Sequence, residues 1–127
     1  MNPTVACLAV ALGGSVGALA RLGINVASLR FFGRAFPVGT LLINLSGSFV
    51  LGYFLARVAR GWQVSEAVQL GITVGFLGAY TTFSTFMFES DTFLRTGMPV
   101  RAILYLTLSI VLGLVCVRVG VVAGQRL

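Results

Sequence analysis

The chain has 127 residues, of which 57% are hydrophobic and only 9% charged. Soluble domains carry about 25% charged residues, and a chain this short cannot hide so much apolar surface in one core, so a soluble monomer is excluded. Disorder is excluded too, because disordered chains are poor in apolar residues. An integral membrane protein remains.

The net charge of +6 comes from nine Arg against three acidic residues, with no His. The Arg are dispersed between apolar stretches and form no basic stripe, so nucleic acid is not an expected partner. Without His or Lys, acid–base chemistry lacks its usual groups, and an enzyme is not expected. Cys7 and Cys116 stand far apart in apolar stretches and read as small packing residues.

Four stretches are long enough to span a bilayer, which takes about 20 apolar residues. They cover residues 4–29 (broken only by Arg21), 35–56, 67–88 and 102–124 (broken only by Arg118). The expected fold class is an all-α membrane protein with four transmembrane helices in one domain. The first stretch lacks the basic n-region of a signal peptide and is expected to stay as a helix. Four spans place both termini on one side with Arg57, Arg60, Arg118 and Arg126. The opposite side holds Arg30, Arg34, Arg95 and Arg101. Orientation follows the excess of Lys and Arg in cytoplasmic loops. Four against four specifies no orientation, which points to insertion both ways and a head-to-tail homodimer; the alternative is a single orientation set by unequal weight among these Arg, with Arg21 nearer the second side. A thin four-helix chain also leaves no room for an aqueous path, so a path needs a second copy.

The polar residues inside these spans carry the chemistry. Asn44 is an amide deep in the second span and needs a partner or a path. The third span contains Gly75 and Gly78, followed by Thr81, Thr82, Phe83, Ser84, Thr85 and Phe86. Glycine disfavours helix, and Thr does little to repair it. A break near Gly78 is expected, with freed carbonyls that suit a cation; the alternative is an intact helix whose hydroxyls bond back one turn. Phe83 and Phe86 share a helix face, either as packing or as rings that turn positive edges toward an anion. Tyr105 and Ser109 lie four apart on the fourth span, and with Thr40, Ser84 and Thr85 they supply donors. Glu89 comes only at the end of the third stretch. A cation-coupled exporter needs a carboxylate deep in the membrane, and none is expected here.

Three patterns together resemble the fluoride channel family called Fluc or CrcB. They are Gly13-Gly14-x-x-Gly17-Ala18-x-x-Arg21, Gly39-Thr40-Leu41-x-x-Asn44-x-x-Gly47, and Gly75-x-x-Gly78 with Thr81 to Phe86. The resemblance covers all four spans. It implies a bacterial inner-membrane channel that passively exports fluoride, as an antiparallel dual-topology dimer with two pores. By resemblance, Phe83 and Phe86 look like a phenylalanine box and Asn44 like the amide that orients it. Tyr105, Ser109, Thr40, Ser84 and Thr85 resemble a polar track, Glu89 a vestibule carboxylate and Arg21 a pore-entrance residue. The Gly78 and Thr81 carbonyls of both subunits resemble the ligands of a structural sodium ion. Ala79 departs from the family pattern, which often has Gly there.

Overall fold

The computed structural model describes residues 2–127. Four helices are long and apolar enough to cross a membrane: Pro3–Phe32, Val38–Ala59, Glu66–Arg95 and Pro99–Arg126. The first two are α1 and α2, and the fourth is α6. The third is composite. It runs through α3 (Glu66–Leu70), a π-helical segment (Gly71–Leu77), a single turn α4 (Gly78–Tyr80) and, after an interruption, α5 (Phe83–Arg95). No strand occurs among the described residues.

The helix ends are written in local sequence. Asn2 caps α1 by accepting from the Thr4 N–H at 2.9 Å, and Pro3 sits in the first turn, where its missing N–H costs nothing. Gly61 and Gly97 end α2 and α5 with φ of 96° and 75°. At both ends the next residue reaches back one turn further: Trp62 N–H to the Arg57 carbonyl (3.1 Å) and Met98 N–H to the Phe93 carbonyl (2.8 Å). This left-handed closure needs glycine, because a Cβ would crowd the backbone.

Packing is inverted relative to a soluble protein. Long apolar side chains such as Leu12, Leu19, Ile110 and Leu114 point outward, more than half exposed. Small residues meet inside, as membrane helices require when lipid supplies no hydrophobic push. Helix α1 lies on the third span through glycine faces. A Cβ on Gly13 would fall on the Gly71 carbonyl oxygen, one on Gly17 on the Phe76 carbonyl oxygen, and one on Gly75 2.7 Å from that of Val10. The same device joins α2 to α6, where Gly120 meets the Phe49 carbonyl and Gly52 that of Val117. The π-helical segment lies against α1 where these backbones touch.

Gly17→Leu is therefore expected to lower the melting temperature of the detergent-solubilised protein sharply, since overpacking costs about 1–3 kcal/mol or more. Gly23, on the same helix, has nothing within 4 Å of an added Cβ. Gly23→Ala is expected to be neutral or stabilising by about 1 kcal/mol. Equal melting of the two variants would contradict this packing.

Candidate functional site: a broken helix beside a ring-enclosed tyrosine and its carboxylate partner

The third span breaks at Thr81 and Thr82, not at glycine. Gly78 is regular helix (φ −63°, ψ −37°). Thr81 (φ −80°, ψ 159°) and Thr82 (φ −151°, ψ 119°) are extended. The cause is a side chain from another helix. Asn44 of α2 grips the Thr82 backbone with both ends of its amide. Its Oδ1 accepts from the Thr82 N–H at 2.8 Å, and its Nδ2 donates to the Thr82 carbonyl at 3.0 Å. Gly47, one turn further along α2, leaves the space that the Thr81 methyl fills. Thr82 then restarts the helix as its N-cap, accepting from the Thr85 N–H at 3.3 Å and donating to Thr85 Oγ1 at 3.0 Å. Thr81 also bonds back to the Leu77 carbonyl at 2.9 Å. Break and back-bonding hydroxyl thus coexist within two residues.

This rerouting has a consequence for two carbonyls. In a continuous helix the Thr82 N–H would reach the Gly78 carbonyl, and the Thr85 N–H that of Thr81. The first donates to Asn44 and the second to Thr82 Oγ1. The carbonyls of Gly78 and Thr81 lose their helical donors, which fits them for a small cation. Among the described residues no three His, Cys, Asp or Glu side chains come together.

The break opens on a concave face of about 370 Å³, lined by Asn44, Ser48, Thr73, Gly78, Thr82 and Phe83 among others. Phe83 is 73% exposed on it, while Phe86, one turn on, is 6% exposed. Their rings meet edge to face at 6.2 Å and 65°. Ser84 is exposed and Thr85 half-buried.

Phe86 leads inward to the second part of the site. Tyr105 of α6 is fully buried. It is enclosed by Phe86 (5.0 Å, 81°), Phe36 (5.3 Å, 78°) and Phe93 (6.3 Å, 83°), all edge to face. Its hydroxyl donates to Glu89 Oε2 at 2.7 Å, and Thr40 donates to Glu89 Oε1 at 2.9 Å. Each carboxylate oxygen thus has its own donor, which makes a half-buried charge tolerable. Helix α5 runs six residues past Glu89, so this carboxylate lies within the helix rather than at its end.

Ser109, four residues after Tyr105, has a buried hydroxyl with no hydrogen-bond partner among the described residues. Arg21 is half-buried on α1 and lines neither this concave face nor the cavity beside Glu89. Phe36 and Phe93 were not anticipated. The sequence holds a faint signal for Phe93 alone, since Phe86, Glu89 and Phe93 are spaced three and four apart on one helix face.

Residues 8–121 match the family model described as CrcB-like protein, Camphor Resistance (CrcB). The chain belongs to the CrcB-like family. It is 42% identical over 118 residues to the fluoride-specific ion channel FluC of Acidobacterium capsulatum, covering 93% of this chain and 94% of that one. The FluC of Chloroflexus aurantiacus gives the same figures. The FluC of Methylococcus capsulatus is 44% identical over 119 residues, 94% of this chain but 52% of that protein; this chain spans about half its length. These CrcB-like relatives carry the names of ion channels, not of enzymes. The region matched to the CrcB-like model takes in every residue of the break and of the Tyr105–Glu89 cluster.

Proposed function

We propose that this chain is a fluoride-selective channel of the inner membrane, which two copies build head to tail. The observation that carries the reading is the concave face at the helix break. It presents Ser48, Thr73 and the extended Thr81, each half-buried, beside the exposed Phe83 at mid-span of a single chain. Irregular backbone is tolerated at membrane depth only where protein covers it or a water-filled path runs past it. A second copy supplies that cover. The even Arg split supports opposite orientation of the two copies, with one pore for each Phe83–Phe86 pair.

Fluoride is a small, strongly hydrated acceptor, and a path must replace its water with donors in steps. Hydroxyls of Thr40, Tyr105, Ser109, Ser84 and Thr85 offer such steps. The hydroxyls of Thr40 and Tyr105 now serve Glu89, and a fluoride ion arriving there competes for them. Phe83 and Phe86 offer ring edges, positive enough to meet an anion without a full charge. Asn44 acts in this scheme by holding the break, which sets where Phe83 and Phe86 start. An inside-negative potential drives the anion outward at about 2.3 kcal/mol per 100 mV, without a coupling ion. This outward leak is what would confer fluoride resistance.

A sodium ion on the two-fold axis, held by the Gly78 and Thr81 carbonyls of both copies, would brace the two breaks against each other. It is structural in this reading and takes no part in conduction.

The test is fluoride efflux from potassium-loaded liposomes, with valinomycin to carry the balancing charge, with and without a protonophore. Efflux that persists when the proton gradient is collapsed is expected. Efflux that depends on the gradient would instead make Glu89 a coupling carboxylate and the protein a coupled exporter.

A further inference from the structure

Four helix serines share a habit that Ser28, like Ser84 and Ser109, does not follow, and Ser28 points to a further part of the path. Ser15, Ser46, Ser48 and Ser90 each bond the carbonyl four residues back, at 2.7–2.9 Å. That is the usual refuge of a hydroxyl in an apolar helix. Ser28 of α1 is only 6% exposed, yet it makes no hydrogen bond among the described residues. Asn25, three residues earlier on the same face, is half-buried and equally without a partner. Both line one cavity of about 240 Å³ between α1 and α2, whose far wall is Thr40 and Glu89.

The cavity is held open by a missing side chain. A Cβ on Gly39 would stand 2.5 Å from Asn25 Oδ1 and 3.2 Å from Ser28 Cβ. Two unbonded polar side chains in an apolar helix are costly unless something polar faces them. The volume suffices for several waters, each of about 30 Å³. Glu89 accepts from Thr40 and Tyr105 and makes no hydrogen bond to Asn25 or Ser28 among the described residues.

We infer that this cavity is a wet antechamber, and that Asn25 and Ser28 are donors that take fluoride, partly stripped of water, to the Thr40 hydroxyl. The inference rests on the channel reading above and adds α1 to the path. The amide N–H of Asn25 and the hydroxyl of Ser28 face the anion. Opposite them stand Thr40, which donates, and Glu89, whose charge keeps the anion from settling. Weak, successive holding of this kind lets an ion leave as well as enter.

The test uses the full chain in liposomes, with Cys7 and Cys116 replaced by Ala. S28C and N25C are treated with a charged, water-soluble methanethiosulfonate reagent. V26C, on the outward face, is the control. Faster labelling of S28C and N25C than of V26C is expected, and labelling should cut fluoride flux. Asn25→Ala should raise the half-saturating fluoride concentration about tenfold, the cost of one hydrogen bond to an ion. Labelling of S28C and N25C no faster than V26C would mean a dry cavity and overturn the inference. Labelling with unchanged fluoride dependence in Asn25→Ala would overturn the donor role. Absence of flux in the unsubstituted protein would instead sink the channel reading, while the labelling contrast still decides whether the cavity is wet.

Discussion

Asn44→Leu is expected to abolish fluoride flux and to destabilise the protein more than any other single polar substitution. Its amide makes two hydrogen bonds to one peptide group, at 2.8 and 3.0 Å. Leucine leaves the Thr82 N–H and carbonyl unpaired in apolar surroundings. Each such group costs about 1–3 kcal/mol, so the loss is on the order of 2–6 kcal/mol. The chain can recover part of that only by closing the helix across Thr81 and Thr82, which would turn Phe83 and Phe86 to new positions. Ser46→Ala is the control. It removes the contact of Ser46 Oγ with Tyr80 OH at 2.8 Å, between the same two spans, together with the hydroxyl's back-bond within α2. Its expected cost is about 0.5–1.5 kcal/mol. Thermal melting in detergent separates them. Equal melting temperatures would mean that the amide grip does not hold the break.

The second large effect is expected at the two rings, and it splits in an informative way. Phe86 is buried edge-on against Tyr105 at 5.0 Å. Phe86→Ile removes that contact, worth about 0.5–1.5 kcal/mol, as well as the ring edge offered to fluoride. Both stability and flux should fall. Phe83 is 73% exposed, and among the described residues the Phe86 ring is its one aromatic contact. Phe83→Ile should leave the melting of the chain nearly unchanged while flux drops at least about tenfold, a barrier increase of about 1.4 kcal/mol. Normal flux in both variants would reduce the rings to packing.

The contrast between Asn44 and Gly78 shows how much of the site could be read in the sequence. The apolar lengths placed four spans, and the Gly-Thr-Thr cluster placed a break in the third. The position of the break was three residues off. Glycine weakens a helix by only about 1 kcal/mol, and Gly78 stays helical. Two bonds from Asn44, 38 positions away, outweigh that local preference. Sequence order alone does not reveal which backbone group a distant amide will meet.

Glu89 illustrates the same limit. The apolar run ends at Phe88, so the carboxylate read as lying past the span. Helix α5 continues to Arg95, with Asp91 and Arg95 pairing at 2.6 Å one turn apart on its exposed face, and Gly97 closes it later. The donors of Thr40 and Tyr105 then make the carboxylate acceptable inside the bundle. Phe36 and Phe93 around Tyr105 were out of reach for the same reason, since three separate elements supply that ring cluster. The π-helical segment has no local signal either; it lies where Gly71 and Gly75 touch the backbone of α1.

The central claim is that this small chain makes a passive path for fluoride and not for larger anions. The most direct measurement loads liposomes containing the pure protein with equal potassium fluoride and potassium chloride, adds valinomycin to carry the balancing potassium, and follows both anions outside. Rapid fluoride efflux that waits on valinomycin, with chloride retained, is the expected result. Equal release of the two anions, or fluoride release indifferent to valinomycin, would contradict it.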